Sequence, residues 1–298
     1  MKKKDKIVVI FSEFSKKIGM GHYVRSKRLY EYLKKNFKVF YYLNKSKNFI
    51  KYYTSKNSEN ITYIFDFKNY KNKGYKIQKK CNYLFFDKNQ KNKKNVFHLN
   101  PLLPWEKKLS GPKWFCYPPN FFMVKKKEKK NKKILICQGG TDAHNNLNTL
   151  IRIIRNEVGS IKVDLNVLIP KEFKIDKNLK KKYSIKFYRN IKNMSKFLIN
   201  FDHIVTSCGS LSYEINSLGI SCTYISSEPR EIKLAKFLEK KKFGKYFQIK
   251  KKNQIRSYIY ENLISSNKPS ELKNKIRYFR HNGLRNISKL IQKINNEI

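Results

Sequence analysis

Long apolar runs are missing from this sequence. No stretch approaches the ~20 apolar residues that a membrane-spanning helix needs. The start, Met1-Lys2-Lys3-Lys4-Asp5-Lys6, is basic, but the apolar run after it, Ile7 to Phe11, has only five residues. A secretory signal core needs roughly 7–15. Both absences predict a cytoplasmic protein with no transmembrane segment. Cysteine is sparse as well. The five cysteines (Cys81, Cys116, Cys137, Cys208 and Cys222) are odd in number and scattered. With no Cys-x-x-Cys pair, neither a zinc site nor a disulfide framework is indicated. Cys137 and Cys222 sit in apolar strand-like runs and read as buried thiols.

Acidic side chains are the third shortage. There are 21 against 68 lysines and arginines, a formal net charge of +47. Such an excess suggests a polyanion partner. However, the lysines are spread over almost every segment. No RNA-binding aromatic signature, C2H2 finger or helix-turn-helix is present. A lysine-rich solvated surface accounts for the charge, and no specific nucleic acid is expected. A milder consequence stands: a positive cleft attracts a nucleotide-sugar diphosphate.

At 298 residues the chain is long enough for two domains with sizeable cores, and 40% hydrophobic content is enough to fill them. Strand-like and helix-like stretches alternate, which argues an α/β architecture with parallel sheets. In the first half, strands are expected at 7–11, 38–43, 61–66 and 83–86, with a loop or short helix over the polar stretch 44–60. Residues 101–122 carry Pro101, Pro104, Pro112, Pro118 and Pro119 and read as irregular. Residues 125–133 are a charge run with little to bury, the best linker candidate. The expected division is therefore 1–130 and 131–298, the last helix being free to pack back on the first domain. In the second half, strands fit 134–138, 163–169, 184–188, 203–206 and 221–225. Helices fit 145–155, 193–199, 210–218, 231–241, 252–264 and 284–296.

The most informative stretch is Ile18-Gly19-Met20-Gly21-His22-Tyr23-Val24-Arg25. It is a glycine turn between the first strand and a helix with apolar spacing at Val24, Leu29 and Leu33. Such a turn puts backbone N–H groups and a positive helix end beside an anion. His22 follows at the same mouth, where an imidazole can take a proton at neutral pH. The spacing lacks the third glycine of a dinucleotide fingerprint and the Lys-Ser/Thr of a P-loop. A tight turn with a capping or packing histidine fits the same residues.

The second half repeats the design. The strand Ile134 to Gln138 runs into the turn Gly139-Gly140-Thr141-Asp142 and then a helix. Asp142 also fits as a plain helix cap. A third segment, His203-Ile204-Val205-Thr206-Ser207-Cys208-Gly209-Ser210, ends a strand in a small-residue turn. Ser210 suits an N-cap, and small residues let a phosphate approach the backbone. Glu214, about one turn into the helix, can accept hydrogen bonds from the two hydroxyls of a ribose. A carboxylate near a helix N-terminus is also favourable with no ligand. Ligands in such sheets bind at the carboxyl ends of the strands.

These segments, in this order, resemble the UDP-sugar hydrolase family of pseudaminic acid biosynthesis. That family cleaves UDP from a 2,4-diacetamido-2,4,6-trideoxy-altropyranose. It is similar in fold to the GT-B peptidoglycan N-acetylglucosaminyltransferase. The matching pieces are residues 18–33, 83–90, 133–150, 206–221 and 234–244, with a weaker match over 109–122. The resemblance implies a GT-B-like fold: two Rossmann-like domains whose parallel sheets face an interdomain cleft. It implies that His22 activates water and that Gly19, Gly21 and Arg25 shape the turn around it. Gly139, Gly140 and Thr141 would lie beside the diphosphate, with Asp142 in the same turn. Ser207, Gly209 and Ser210 would hold phosphate or uridine, and Glu214 the ribose. Asp66 and Asp87 match acidic positions at strand ends of the first domain. Departures fall on the sugar and nucleotide contacts. Glu13 stands where the family has an aspartate, and Arg230-Glu231 where it has a nucleotide-contacting Asn-Gln pair. An expected arginine near Pro118 is absent, and the first domain is shortened around 44–60.

The reaction this implies is hydrolysis of a UDP-linked acetamido-deoxy sugar at the anomeric carbon, releasing UDP, with no cofactor and no metal. The runner-up is a GT-B glycosyltransferase with a UDP-sugar donor, in which an acceptor hydroxyl replaces water. The third alternative is a polyanion- or nucleic-acid-binding protein driven by charge.

Overall fold

The computed structural model describes residues 6–15, 20–55, 60–71, 73–88, 94–106, 108–124, 132–140, 142, 144–155, 163–170, 173, 176, 185–264 and 269–296. The chain forms two compact units: Met1–Pro119 with His281–Ile298, and Asn120–Arg280. The division falls between Pro119 and Asn120 rather than at residue 130, and the C-terminal segment belongs to the first unit. Most of the lysine run, 125–131, lies outside the described residues.

The first unit is built on a five-stranded sheet of order β2-β1-β3-β4-β5. Its strands are β1 (Ile7–Ser12), β2 (Lys38–Leu43), β3 (Ile61–Asp66), β4 (Asn82–Phe86) and β5 (Val96–Leu99). All pairings are parallel. β1, β3 and β4 are buried on both faces, so they read as unbroken apolar and aromatic runs. The register stacks one ring per strand. Tyr42, Phe11, Phe65, Phe85 and His98 are cross-strand partners in that order. Their successive centroids lie 5.6, 5.5, 5.1 and 5.5 Å apart. Aromatic neighbours of this kind stabilise a sheet and pin its register.

Helices α1 (Gly21–Leu33) and α9 (Gly283–Ile294) supply one core, with Leu29, Leu33, Leu284, Ile287, Ile291 and Ile294 packed with Val8, Ile10, Ile64 and Leu84. Helix α2 (Lys47–Ser55) supplies Ile50 to a second core. That helix falls within the polar stretch 44–60. The apolar residues of α9 recur at three- and four-residue intervals, which gives one buried stripe. Asn282 caps α9 by accepting from Arg285 N at 3.0 Å.

The second unit has a six-stranded parallel sheet of order β11-β10-β9-β6-β7-β8. The strands are β6 (Lys132–Cys137), β7 (Val163–Leu168), β8 (Lys186–Tyr188), β9 (His203–Thr206), β10 (Ser221–Ile225) and β11 (Lys245–Phe247). The helices are α3 (Leu147–Arg155), α4 (Met194–Leu198), α5 (Ser210–Ser217), α6 (Pro229–Lys240), α7 (Lys252–Ile264) and α8 (Pro269–Phe279). Helices α3 and α7 cover one core through Leu147, Leu150, Ile151, Ile255 and Ile259. Sequence patterning passes over β5, β11 and α8. The two strands have four and three residues, and α8 is mostly polar. The five cysteines are free and buried. No described helix is long and apolar enough to cross a membrane.

Gly283 shows how tightly α9 is seated. A Cβ there would lie 2.1 Å from the carbonyl oxygen of Phe115. Gly283→Ala should therefore cost roughly 1–3 kcal/mol by overpacking. Urea unfolding of the variant against wild type checks this.

Candidate functional site

The first unit gathers its polar side chains at the N-terminal end of α1. The buried face of this helix changes character along its length: Arg25 and Ser26 come first, then Leu29 and Leu33. Gly21 is its first residue and His22 its second. The helix has no side-chain cap and no acid in its first turn. Spacing of three and four residues puts His22, Arg25 and Ser26 on one face. That face meets Asp66, the last residue of β3.

Asp66 is fully buried and accepts four hydrogen bonds. Its Oδ1 lies 2.6 Å from His22 Nδ1 and 2.5 Å from Arg25 Nη2. Its Oδ2 accepts from Arg25 Nε at 2.9 Å and from Ser26 Oγ at 2.8 Å. Burial disfavours the charged carboxylate, but Arg25 and His22 outweigh it and hold Asp66 well below the usual carboxylate range. Asp66 is therefore ionised and can only accept. Nδ1 of His22 must carry the proton, and the lone pair of the neutral ring is on Nε2.

Arg25 is the second hub. Its Nη1 reaches Asp87 Oδ2 at 2.5 Å, and its guanidinium lies 4.4 Å from the centroid of Phe86. Burial works against its charge, but the two carboxylates win and raise it well above its ordinary value. Asp87 also accepts from Leu102 N at 3.1 Å. Its backbone is left-handed, with φ of 50°. Arg25 and Asp87 are thus buried and bonded to each other, and Arg25 to Asp66 as well. Glu13 is buried elsewhere. It accepts from Lys68 N and Lys73 Nζ, both at 2.5 Å, and ties down the loop after β3. Gly19 lies outside the described residues.

In the second unit the turns after β6 and β9 come together because those strands are neighbours. Gly139 has φ of +73°, and a Cβ there would lie 3.5 Å from Ser207 Oγ. Gly140 follows in the same turn. The N-cap of α5 is Gly209, with no side-chain cap, so the cap falls one residue before the expected Ser210. Glu231, in the first turn of α6, places Oε1 3.1 Å from where a Cβ on Gly209 would stand. Arg230 beside it is exposed. Glu214 is buried on α5. Asp142 accepts from Asn146 N at 2.9 Å and Leu147 N at 3.2 Å, and so caps the start of α3. Burial pushes its carboxyl up against those two bonds. Thr141 lies outside the described residues. Gln138, at the end of β6, is buried, and its Nε2 donor has no hydrogen-bond partner.

Sequence reasoning passed over Ser26 and Gln138. It named Asp66 only as a matching acidic position. The spacing of His22, Arg25 and Ser26 was the available signal. Among the described residues, no cluster of His, Cys, Asp and Glu is arranged to hold a metal ion.

No family model matches the chain. An uncharacterized protein of Methanocaldococcus jannaschii is 33% identical over 123 residues, 37% of this chain and 25% of that protein. The match spans only about a quarter of that relative's length. Solved structures cover far more. MurG of Acinetobacter baumannii matches at 14% identity and TM-score 0.66, over 97% of this chain and 99% of that one. The fold is GT-B. A calicheamicin glycosyltransferase matches over 99% of both chains at 9% identity and TM-score 0.66. A spinosyn rhamnosyltransferase complexed with thymidine diphosphate matches at 8% identity and TM-score 0.64, over 96% and 99%. At such identities the likeness is one of fold, and both sheets of this GT-B chain are parallel throughout.

The Asp66 cluster gives stability a definite pH dependence. The folded pKa is depressed, so the unfolded chain binds the extra proton. The stabilisation is fully present above the ordinary carboxylate pKa and is lost as pH falls below it. Asp66→Asn breaks a buried charge network and should cost ~3–5 kcal/mol near neutral pH. That difference from wild type should hold from neutral pH down to about pH 5 and shrink below about pH 4. Chemical denaturation at a series of pH values measures it.

Proposed function

We propose that this protein breaks the bond between the anomeric carbon of a sugar and a nucleoside diphosphate, with His22 as general base. The observation that carries the proposal is the 2.6 Å bond between His22 Nδ1 and Asp66 Oδ1. It leaves Nε2 as the basic nitrogen. An oxygen nucleophile gives its proton to Nε2 and bonds to the anomeric carbon. The carbon–oxygen bond to the diphosphate breaks, and its electron pair leaves with the phosphate. Asp66 then faces an imidazolium and stabilises it. Base catalysis of this kind is worth about 10²–10⁴-fold.

The second unit supplies the nucleotide site in this reading. The turns at Gly139, Gly140 and Thr141 and at Ser207, Gly209 and Ser210 take the diphosphate, and Glu214 the ribose of UDP. Main-chain N–H groups at such turns stabilise the departing charge. The unmet donor of Gln138 at the same strand end supports a ligand with an acceptor oxygen there.

Transfer to an acceptor hydroxyl is the reading that the GT-B neighbours favour, since those named above as glycosyltransferases share this fold. Hydrolysis of a UDP-linked acetamido-deoxy sugar, as in pseudaminic acid synthesis, is the second reading. The resemblance of residues 18–33, which include His22, to that family supports it.

The test is UDP release from a panel of UDP-sugars, with and without candidate acceptors. Wild type should release UDP, and His22→Asn should lose about 10²–10⁴-fold while still binding UDP. Release only with an acceptor assigns transfer, and release without one assigns hydrolysis. Equal rates for wild type and His22→Asn remove His22 from the chemistry.

A further inference from the structure

Asp66 ends β3, where it pairs with Ser12 of β1, and Asp87 follows β4, its N–H donating to Leu99 O at 2.8 Å. The pairing of β3 with β4 itself stops at Phe65 and Phe85. Beyond that point Asp87 turns into left-handed backbone. Yet Arg25 bridges both carboxylates with a planar fork, which tolerates little variation in their spacing.

A side chain from the loop after β3 spans the same gap. The hydroxyl of Tyr70 lies 2.9 Å from the carbonyl oxygen of Phe65 and 2.6 Å from that of Phe86. Its single hydrogen is shared between them. Its oxygen accepts from Phe67 N at 3.3 Å. Phe65 and Phe86 are the residues immediately before Asp66 and Asp87. The Tyr70 ring is wedged against Phe85 and Phe67, with centroids 5.5 and 5.6 Å away, and Lys88 Nζ lies 5.4 Å from its centroid. The phenol is thus held independently of the two backbone groups that it joins.

We propose that Tyr70 is a positioning residue for the His22–Asp66 pair. Its hydroxyl sets the spacing of the chain ends that carry Asp66 and Asp87. That spacing seats Arg25 and keeps Asp66 on His22 Nδ1. Tyr70 touches neither His22 nor a substrate in this account. The proposal rests on His22 being the general base, but the geometry that it concerns can be read without turnover.

The experiment is imidazole ¹⁵N NMR on the full chain, which has five histidines, with the His22 signal assigned by His22→Asn. Tyr70→Phe keeps the ring and removes the hydroxyl. Tyr63→Phe is the control, because Tyr63 of β3 donates to Tyr53 O of α2 at 2.9 Å. In wild type the neutral His22 should be the Nδ1-protonated tautomer. Tyr70→Phe should show a mixture of tautomers and lose roughly 10–100-fold in kcat, as supporting partners of a working histidine do, with KM little changed. Tyr63→Phe should lower Tm without moving the tautomer or kcat. A wild-type tautomer in Tyr70→Phe overturns the proposal, as does an equal shift in Tyr63→Phe. Absence of His22-dependent turnover in wild type overturns the functional reading instead, and the tautomer signals still decide the role of Tyr70.

Discussion

The buried charge of Asp66 is the constraint on which the first unit depends. An ionised carboxylate out of reach of water is costly unless its lone pairs are filled. Here four donors from one helix face fill them: one from His22, two from Arg25 and one from Ser26. The demand explains why the N-terminal half of α1 buries polar groups while its second half buries leucines. One guanidinium is shared between two carboxylates. Negative charge is therefore left over at Asp66, beside the ring that would become an imidazolium.

The Asp66 cluster and the strand-end turns of the second unit differ in how far their polar side chains are satisfied. The polar groups around Asp66 satisfy one another, and the ring nitrogen bonded to Asp66 leaves Nε2 as the basic one. In the second unit the turns at the ends of β6 and β9 include a buried amide donor, Gln138 Nε2, with no partner. Unmet donors of that kind are what an acceptor-rich ligand fills.

Much of the fold was legible in the sequence because parallel sheets buried on both faces write themselves as apolar runs. The strands at 38–43, 61–66, 203–206 and 221–225 and the helix at 252–264 carry the expected bounds. The turn at Gly139, where φ is +73°, was legible too, since few other residues punctuate a strand–helix junction. The site was legible only in part. His22 and Asp66 are 44 positions apart and Arg25 and Asp87 are 62 apart. Nothing in residue spacing says that two distant strand ends meet one helix face. For the same reason Arg25 read as a turn-shaping group when it is the keystone of a buried cluster. Of the readings open for Asp142, local helix geometry supports the cap, and it passes the cap position from Ser210 to Gly209. A lysine-rich run says only where little is buried, whereas the break in contacts comes at Pro119.

The central claim is that an ionised Asp66 makes His22 a base. Steady-state turnover of a nucleotide-sugar by Asp66→Asn, with UDP affinity measured alongside, tests it most directly. The account predicts a fall in kcat of about 10²-fold or more, because a neutral amide cannot stabilise the imidazolium or hold one tautomer, with UDP affinity unchanged. Turnover at the wild-type rate by a folded, UDP-binding Asp66→Asn protein would contradict it.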